Sequence, residues 1–411
     1  MQSASASDFS PLAPEFQANP YPIYDLLRAN MPVFYWQDWG MWFLSRYDDC
    51  VSVLRDPRFG REILRHMTRE QLGWQPTPEN QKPLVEVTSQ WMLFRDPPDH
   101  TRLRGLVHKA FTPRMIERLR DRVQAITDKL IDKALADGGM EAIADLAYPL
   151  PVTVIADLLG IPESDHAAFQ RWSRTLAFTL EFTTDPAVYE QGAIAAAEFA
   201  EYLRGRIADS RRALASGTPR EDLISGLVAA EAEGDTLTEQ EMIGTCVLLL
   251  TAGHETTVNL IGNGINALLD HPDQWERLKA NPAGLAASAV EEILRYDSPV
   301  QLTARTALQD VEFNGVTFKQ GREIAILFGA ANHDPAKFPD PAKFDITRDP
   351  NPHLAFGNGI HFCLGAPLAR LEGQIAFETL ARRLPDLKRA GDPERRNTYI
   401  LRGLRSLPVS I

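Results

Sequence analysis

The chain has three cysteines, and one of them stands in a setting suited to chemistry. Cys363 lies in Phe356-Gly-Asn-Gly359-Ile-His361-Phe-Cys363-Leu-Gly365-Ala-Pro367, with Gly357 and Gly359 before it and Gly365 after it. Glycines at this density permit tight turns and let a flat ligand approach the backbone closely. Pro367 falls where a first helical turn would begin, so Cys363 stands just ahead of a helix N-terminus. There the positive end of the helix dipole and free backbone N–H groups favour the thiolate over the thiol. A lone cysteine is ordinarily a buried apolar side chain, but a thiolate held in this way is a ligand for iron.

A second group is Thr251-Ala252-Gly253-His254-Glu255-Thr256-Thr257, set inside a long helical pattern. Gly253 costs about 1 kcal/mol against alanine in a helix interior. Thr256 can bond back to the carbonyl of Ala252, which bends helices. The expected result is a local groove beside an acid and an alcohol. His254-Glu255 also begins like the zinc motif His-Glu-x-x-His, but position 258 is Val, so the second ligand is missing and that reading fails. Two further pairs sit at helical spacing: Glu292 with Arg295 at i, i+3, and His100 with Arg104 at i, i+4. Exposed pairs of this kind contribute almost nothing, and each basic residue taken singly reads as a solvated surface charge.

The elements that must position these groups follow from periodicity. Tyr21 to Ala29 predicts a helix, followed by short strands at 33–36 and 42–45 split by a turn at Asp38-Trp39-Gly40. Tyr47 to Arg55 is again helical. Residues 60–94 read as irregular, interrupted by Trp74, Pro76, Pro78 and Pro83, and so long an irregular stretch suggests a functional loop or lid. From Pro98 to Arg295 helical patterns dominate. The longest runs from Leu237 to Asp270, with Thr238 and Glu241 spaced as a capping box and Pro272 just past its end. It would extend roughly 50 Å. Residues 311–326 predict a β region with a hairpin turn at Asn314-Gly315. A proline-punctuated coil at 334–352, a last helix from Ala366 to Leu384 and a terminal β segment around 399–408 follow. The fold class is therefore mainly α with a smaller β portion. Residues 1–411 show no repeat, linker or boundary signal and read as a single domain.

Composition narrows the function. The 411 residues are 44% apolar and 24% charged, an ordinary globular balance with room for a large core. A net charge of −12 disfavours nucleic acid and anionic lipid as partners. Three scattered cysteines do not make a disulfide framework and fit a reducing, cytoplasmic compartment. Residues 1–7 lack the basic and apolar segments of a signal peptide. The apolar stretch from Cys246 to Ala252 is far shorter than the roughly 20 residues a membrane span needs.

Phe-x-x-Gly-x-His-x-Cys-x-Gly at 356–365 resembles the heme-binding loop of the cytochromes P-450. The other family landmarks fall in the same order over almost the whole chain. The resemblance implies the cytochrome P-450 fold, with the long helix crossing the distal face of heme b (iron protoporphyrin IX). It makes Cys363 the axial iron ligand and gathers Phe356, Gly357, His361, Gly365, Ala252 and Gly253 around the cofactor. Glu255 and Thr256 become the acid and alcohol that deliver protons where dioxygen binds. Arg104 and Arg305, with His100 and His361, become partners of the heme propionates. Glu292 and Arg295 are implied to lie buried on the proximal side and to meet Arg348, a trio assigned to folding the heme pocket and not to chemistry. Removing one partner of a buried pair typically costs about 3–5 kcal/mol.

The implied reaction is monooxygenation, in which one atom of dioxygen enters a C–H bond (hydroxylation) or a C=C bond (epoxidation) of a lipophilic small molecule. By position in the family, the substrate meets the segment before Phe94 and the helices around Leu176 to Phe182. Leu248, Thr251, Ala252, Val300, Gln301, Leu302, Ile400 and Leu401 complete that set. These are mostly apolar, and each also reads as plain core. Electrons are expected from a separate ferredoxin and its NAD(P)H-dependent reductase, because the chain carries no flavin or iron–sulfur motif of its own. The basic group Arg102, His108, Lys109 and Arg114 is the expected docking face, and it reads equally as an ordinary solvated face. Two alternatives stay open: a heme-thiolate enzyme of other chemistry (peroxygenase, desaturase or nitric oxide reductase), and a non-catalytic heme sensor. The intact Glu255-Thr256 pair argues against peroxide use. The family is commonly monomeric.

Overall fold

The computed structural model describes residues 9–183, 185–232 and 237–411, and of these the side chains of Ala110, Pro113, Arg114 and Ala232 are left aside. The N-terminal reading over residues 1–7 and the expected role of Arg114 therefore lie outside the described residues. The chain divides into two compact units. One holds residues up to Leu72, 127–147 and everything from Thr256 onward; the other holds 73–126 and 148–255.

The first unit carries the β portion. Strands β1 (Val33–Trp36) and β2 (Met41–Leu44) pair antiparallel, with Phe34 and Trp36 buried and Val33 and Tyr35 half-buried, as a strand with one covered face requires. β3 (Phe59–Gly60) and β4 (Leu302–Ala307) follow in the same sheet. β5 (Val311–Phe313) and β6 (Val316–Phe318) form a separate hairpin. Its turn residues Asn314 and Gly315 have φ of 49° and 79°, the left-handed pair that a two-residue hairpin demands. β7 (Glu323–Leu327) then completes a five-stranded sheet of order β1-β2-β7-β4-β3, in which β2 and β7 run parallel. A core of Leu44, Val53, Leu54, Phe59, Phe318, Ile324, Ile326 and Phe338 packs the helix Tyr47–Arg55 together with these strands. Two longer helices of this unit, Pro282–Tyr296 and Ala366–Arg383, pack on each other and carry Glu292 and the start of the cysteine helix.

The second unit is almost wholly helical. Its main elements are Asp99–Ala110, Pro149–Leu159, His166–Phe178 and the 30-residue helix Pro186–Ala215. Phe169 meets Phe199 edge to face at 5.6 Å and Trp172 stacks on it at 5.1 Å, fixing the last two helices against each other. The long helix runs over Glu239–Asp270 for 32 residues, starting two residues later than its periodicity suggests. Its capping box is in place: the Thr238 N–H donates to Glu241 Oε2 at 2.9 Å, and the Glu241 N–H to Thr238 Oγ1 at 3.2 Å.

The fold is mainly α with a smaller β portion, as the sequence indicates. One expectation needs correcting. The segment at 60–94 is not irregular throughout: it contains the helix Lys82–Thr88 and short helical turns at Ile63–Arg65, Arg69–Leu72, Glu79–Gln81 and Met92–Phe94. Pro83 sits in the first helical turn, where its missing N–H has no helical partner to lose, so it starts a helix and does not break one. Among the described residues no helix is long and apolar enough to cross a membrane.

Candidate active site

The three cysteines differ in environment. Cys50 and Cys246 are buried. Desolvation pushes the Cys50 thiol well above its ordinary value and the Cys246 thiol up to about 12, so neither ionises near neutral pH. Cys363 is exposed. Its N–H donates to the Phe356 carbonyl at 2.9 Å, closing the loop on itself. The helix Ala366–Arg383 begins three residues later, with Gly365 as its cap residue and Pro367 in its first turn, so the sulfur stands ahead of the positive helix end. Gly359 is required by two features at once. Its φ is +70°, and a Cβ there would come within 2.4 Å of the Leu54 carbonyl oxygen. Beside the thiol, Ile360 and Phe362 are 49% and 41% exposed. A sulfur donor within an exposed apolar rim fits a flat apolar macrocycle that carries a thiolate-ligated iron.

The coil leading to this loop is tied to the Pro282–Tyr296 helix. Arg295 donates to both oxygens of Glu292 at 2.8 Å, and both side chains are fully buried. Its remaining donors reach the carbonyls of Asn332, Pro341 and Lys343 at 3.0, 2.8 and 3.1 Å. Arg348 Nε lies 3.2 Å from Glu292 Oε2, while the Asp345 N–H and Asn351 Nδ2 each donate to Glu292 at 3.0 Å. The structure thus brings Glu292, Arg295 and Arg348 together in one buried network. A second network was missed in the sequence. Glu291, the neighbour of Glu292, accepts from Arg370 Nε and Nη2 at 2.7 and 2.8 Å and lies 3.0 Å from His353 Nε2. Burial works to raise the Glu291 carboxyl, but the hydrogen bonds and charges of Arg370 and His353 prevail and hold it at about 2. The Arg370 guanidinium also sits 4.6 Å over the Phe356 ring, and its pKa is raised first by the hydrogen bond to Glu291, with charge on Glu291 and then on Cys363 adding to it. The signal in the sequence was the acidic doublet at 291–292, whose second member alone was read. Also in this unit, Arg305 on β4 is 4% exposed and donates to the Ala304 carbonyl at 2.8 Å, and His361 is half-buried within the loop.

In the second unit, His100 is buried and Arg104 half-buried one turn apart on Asp99–Ala110. Arg102, one of the basic group, has acidic partners on its own unit. It pairs with Glu241 at the start of the long helix and lies 3.8 Å from Asp99, so its charge is locally compensated. His108 and Lys109 remain exposed.

Along the long helix, every residue from Met242 to Leu268 is buried except Leu249, Ala252, Gly253 and Thr256. Their spacing of i, i+3, i+4 and i+7 places them on one stripe of the helix. The two smallest side chains of the stripe, Ala252 and Gly253, stand next to the acid Glu255, which is 2% exposed. Leu248 and Thr251, named as substrate contacts from sequence, are buried, and Thr251 Oγ1 donates back to the Val247 carbonyl at 2.8 Å. Ala252, also named from sequence, lies on the open stripe with Leu249. Of the other named contacts, Val300 bridges to Leu401 and the Gln301 N–H donates to the Ile400 carbonyl at 2.9 Å, so these two segments form one wall. The Gln301 side chain turns inward, accepting from Tyr24 Oη at 3.1 Å and donating to the Ser298 carbonyl at 2.8 Å. Leu302 and Leu401 are buried and Ile400 half-buried.

Comparison with known proteins agrees with this arrangement. The family model described as Cytochrome P450 matches residues 40–282 and 284–395. Polyketide biosynthesis cytochrome P450 PksS of Bacillus subtilis (strain 168) is 42% identical over 98% of both chains. Cytochrome P450 monooxygenase PikC of Streptomyces venezuelae is 44% identical over 98% of this chain and 93% of its own length. Among solved structures, P450BioI in complex with a hexadec-9Z-enoic acid-ligated acyl carrier protein superposes with a TM-score of 0.88 at 42% identity, covering 97% of this chain and all of that one. A family match over most of the chain and close relatives over its whole length leave one assignment: this protein belongs to the cytochrome P450 family and is a heme-dependent monooxygenase.

Proposed function

We propose that Cys363 would hold heme b through its thiolate, and that the enzyme inserts one atom of dioxygen into a C–H or C=C bond of a lipophilic small molecule. The observation that carries this reading is the placement of Cys363: an exposed thiol ahead of a helix N-terminus, rimmed by Ile360 and Phe362, in a chain whose other cysteines are buried. When bound, heme supplies the activation of dioxygen, assisted by electron donation from the thiolate. The chain's side chains do the rest. Arg104 and Arg305, with His100 and His361, bind the propionates. Phe356, Gly357 and Gly365 shape the loop around the sulfur, while Ala252 and Gly253 keep the open stripe of the long helix low. Thr256, on that stripe, holds a proton at Oγ1, and buried Glu255 beside it takes up and passes on protons.

The substrate reading rests on the wall formed by Val300 to Leu302 with Ile400 and Leu401, which is largely apolar. Long-chain acyl and polyketide ligands come first for testing, since one relative is named for polyketide biosynthesis and one neighbour was solved with an acyl chain on a carrier protein. Electrons come from a separate ferredoxin and its NAD(P)H-dependent reductase, to a protein that acts as a cytoplasmic monomer.

Turnover of such a ligand with a surrogate ferredoxin and reductase under ¹⁸O₂ tests the reaction. One labelled oxygen per product, formed only with NADPH and both partners, is the expected result. Product without label, or turnover driven by peroxide alone, would replace this reading with the peroxygenase one.

A further inference from the structure

His254 is a buried ionisable side chain on a largely apolar face of the long helix, which it shares with the buried hydroxyls of Thr251 and Thr257. Val247, Leu250, Val258 and Ile261 lie at i−7, i−4, i+4 and i+7 from it, and all of them are fully buried and apolar. His254 is equally buried. An imidazole in such a place costs free energy unless it is hydrogen-bonded, whereas a leucine would fill it without that cost. The bond it makes is specific. Ser173 Oγ lies 2.9 Å from His254 Nδ1, and Ser173 is itself fully buried on the His166–Phe178 helix among Phe169, Trp172, Leu176 and Ala177. The Tyr148 ring meets the imidazole edge to face, with centroids 4.6 Å apart and planes at 90°, and the Arg174 guanidinium lies 4.9 Å over the same tyrosine ring. From its own helix, Glu255 Oε2 stands 3.9 Å from the same Nδ1. That is beyond a hydrogen bond but well within reach of the imidazole's dipole. One nitrogen is thus held by a hydroxyl of a second helix and faces the carboxylate of the proposed relay.

We propose that His254 is a positioning residue for Glu255. Anchored by Ser173 and Tyr148, the imidazole fixes where the Glu255 carboxylate sits and ties that position to the His166–Phe178 helix. The inference rests on Glu255 acting as the relay acid, and the test separates the two.

The experiment uses heme-loaded enzyme with surrogate redox partners and reads product formed per NADPH consumed, alongside the ligand dissociation constant. His254→Phe keeps a ring against Tyr148 but removes Nδ1; Ser173→Ala removes the anchor alone; His254→Asn returns a polar atom near the Nδ1 position. Coupling is expected to fall about fivefold in His254→Phe and in Ser173→Ala, the scale of one lost net hydrogen bond, with ligand affinity unchanged. The double variant is expected to be no worse than either single one, because both remove the same interaction. His254→Asn is expected to recover most of the coupling. Where His254→Phe fails to hold heme, Ser173→Ala carries the test. Undiminished coupling in Ser173→Ala, or fully additive losses in the double variant, overturns the proposal. Glu255→Gln distinguishes the failures: full coupling there removes the relay reading itself, while uncoupling there with a silent Ser173→Ala removes the positioning role alone.

Discussion

Arg295 grips both oxygens of Glu292 at 2.8 Å, with neither side chain exposed, while the Asp345 N–H, Asn351 and Arg348 take up the remaining capacity of the carboxylate. Such a pair stabilises only as a complete set, because removal of one member strands buried charge. Glu292→Ala is expected to cost about 3–5 kcal/mol, read as a lowered urea midpoint and lost heme content. Arg348→Ala, whose side chain is 10% exposed, is expected to cost less, about 1–2 kcal/mol. A Glu292→Ala protein with the wild-type midpoint would contradict this account of the coil.

Gly359 and Gly138 share a left-handed backbone, with φ of +70° and +73°, but differ in surroundings. A Cβ at Gly138 meets nothing within 4 Å, whereas one at Gly359 would approach the Leu54 carbonyl oxygen to 2.4 Å. Gly138→Ala should therefore cost only the strain of that conformation, about 1 kcal/mol. Gly359→Ala should cost about 3 kcal/mol or more, since backbone must also move. Thermal unfolding of the two variants decides it, and equal losses would show that the cysteine loop yields without penalty.

Glu372, on the cysteine helix, is 1% exposed, its Oε2 has no hydrogen-bond partner among the described residues, and burial pushes its carboxyl up to about 8. An unfolded glutamate titrates near ~4.3. Between those values the folded chain keeps a proton that the unfolded chain releases, so this group's contribution to stability falls as pH rises and levels off above the upper value. Glu372→Gln removes that dependence. Its urea midpoint is expected to gain on the wild type between about pH 5 and pH 8. A difference that stays constant with pH would show that Glu372 is ionised in the folded protein.

Thr256 is half-buried on the open stripe one residue beyond Glu255. Thr256→Ala is expected to leave ligand binding and NADPH consumption in place while product yield falls by about tenfold or more, with reducing equivalents diverted to peroxide. Unchanged product per NADPH would remove Thr256 from the proton relay.

The legible parts of this protein are those fixed by local chemistry. The glycine spacing around Cys363, the Thr238–Glu241 capping box and the Asn314-Gly315 turn each depend on residues within a few positions of one another, and each stands where the sequence places it. Glu292 and Arg295 were legible as a helical pair for the same reason. What escaped depends on distant partners. The pairing of Arg102 with Glu241 leaves no local sign, because the two lie 139 residues apart. Ser173 and His254 are separated by 81 residues, and neither carries any local sign of the other. Pro83 reads locally as a breaker, yet its position in a first turn makes it a starter, a distinction that only the helix boundary reveals.

The central claim is thiolate ligation by Cys363, and the absorbance spectrum of the reduced, carbon monoxide-bound protein tests it most directly. The account predicts a far red-shifted Soret band in the wild type that is lost in Cys363→Ser. A Soret band typical of histidine-ligated heme, or the same red-shifted band in Cys363→Ser, would contradict it.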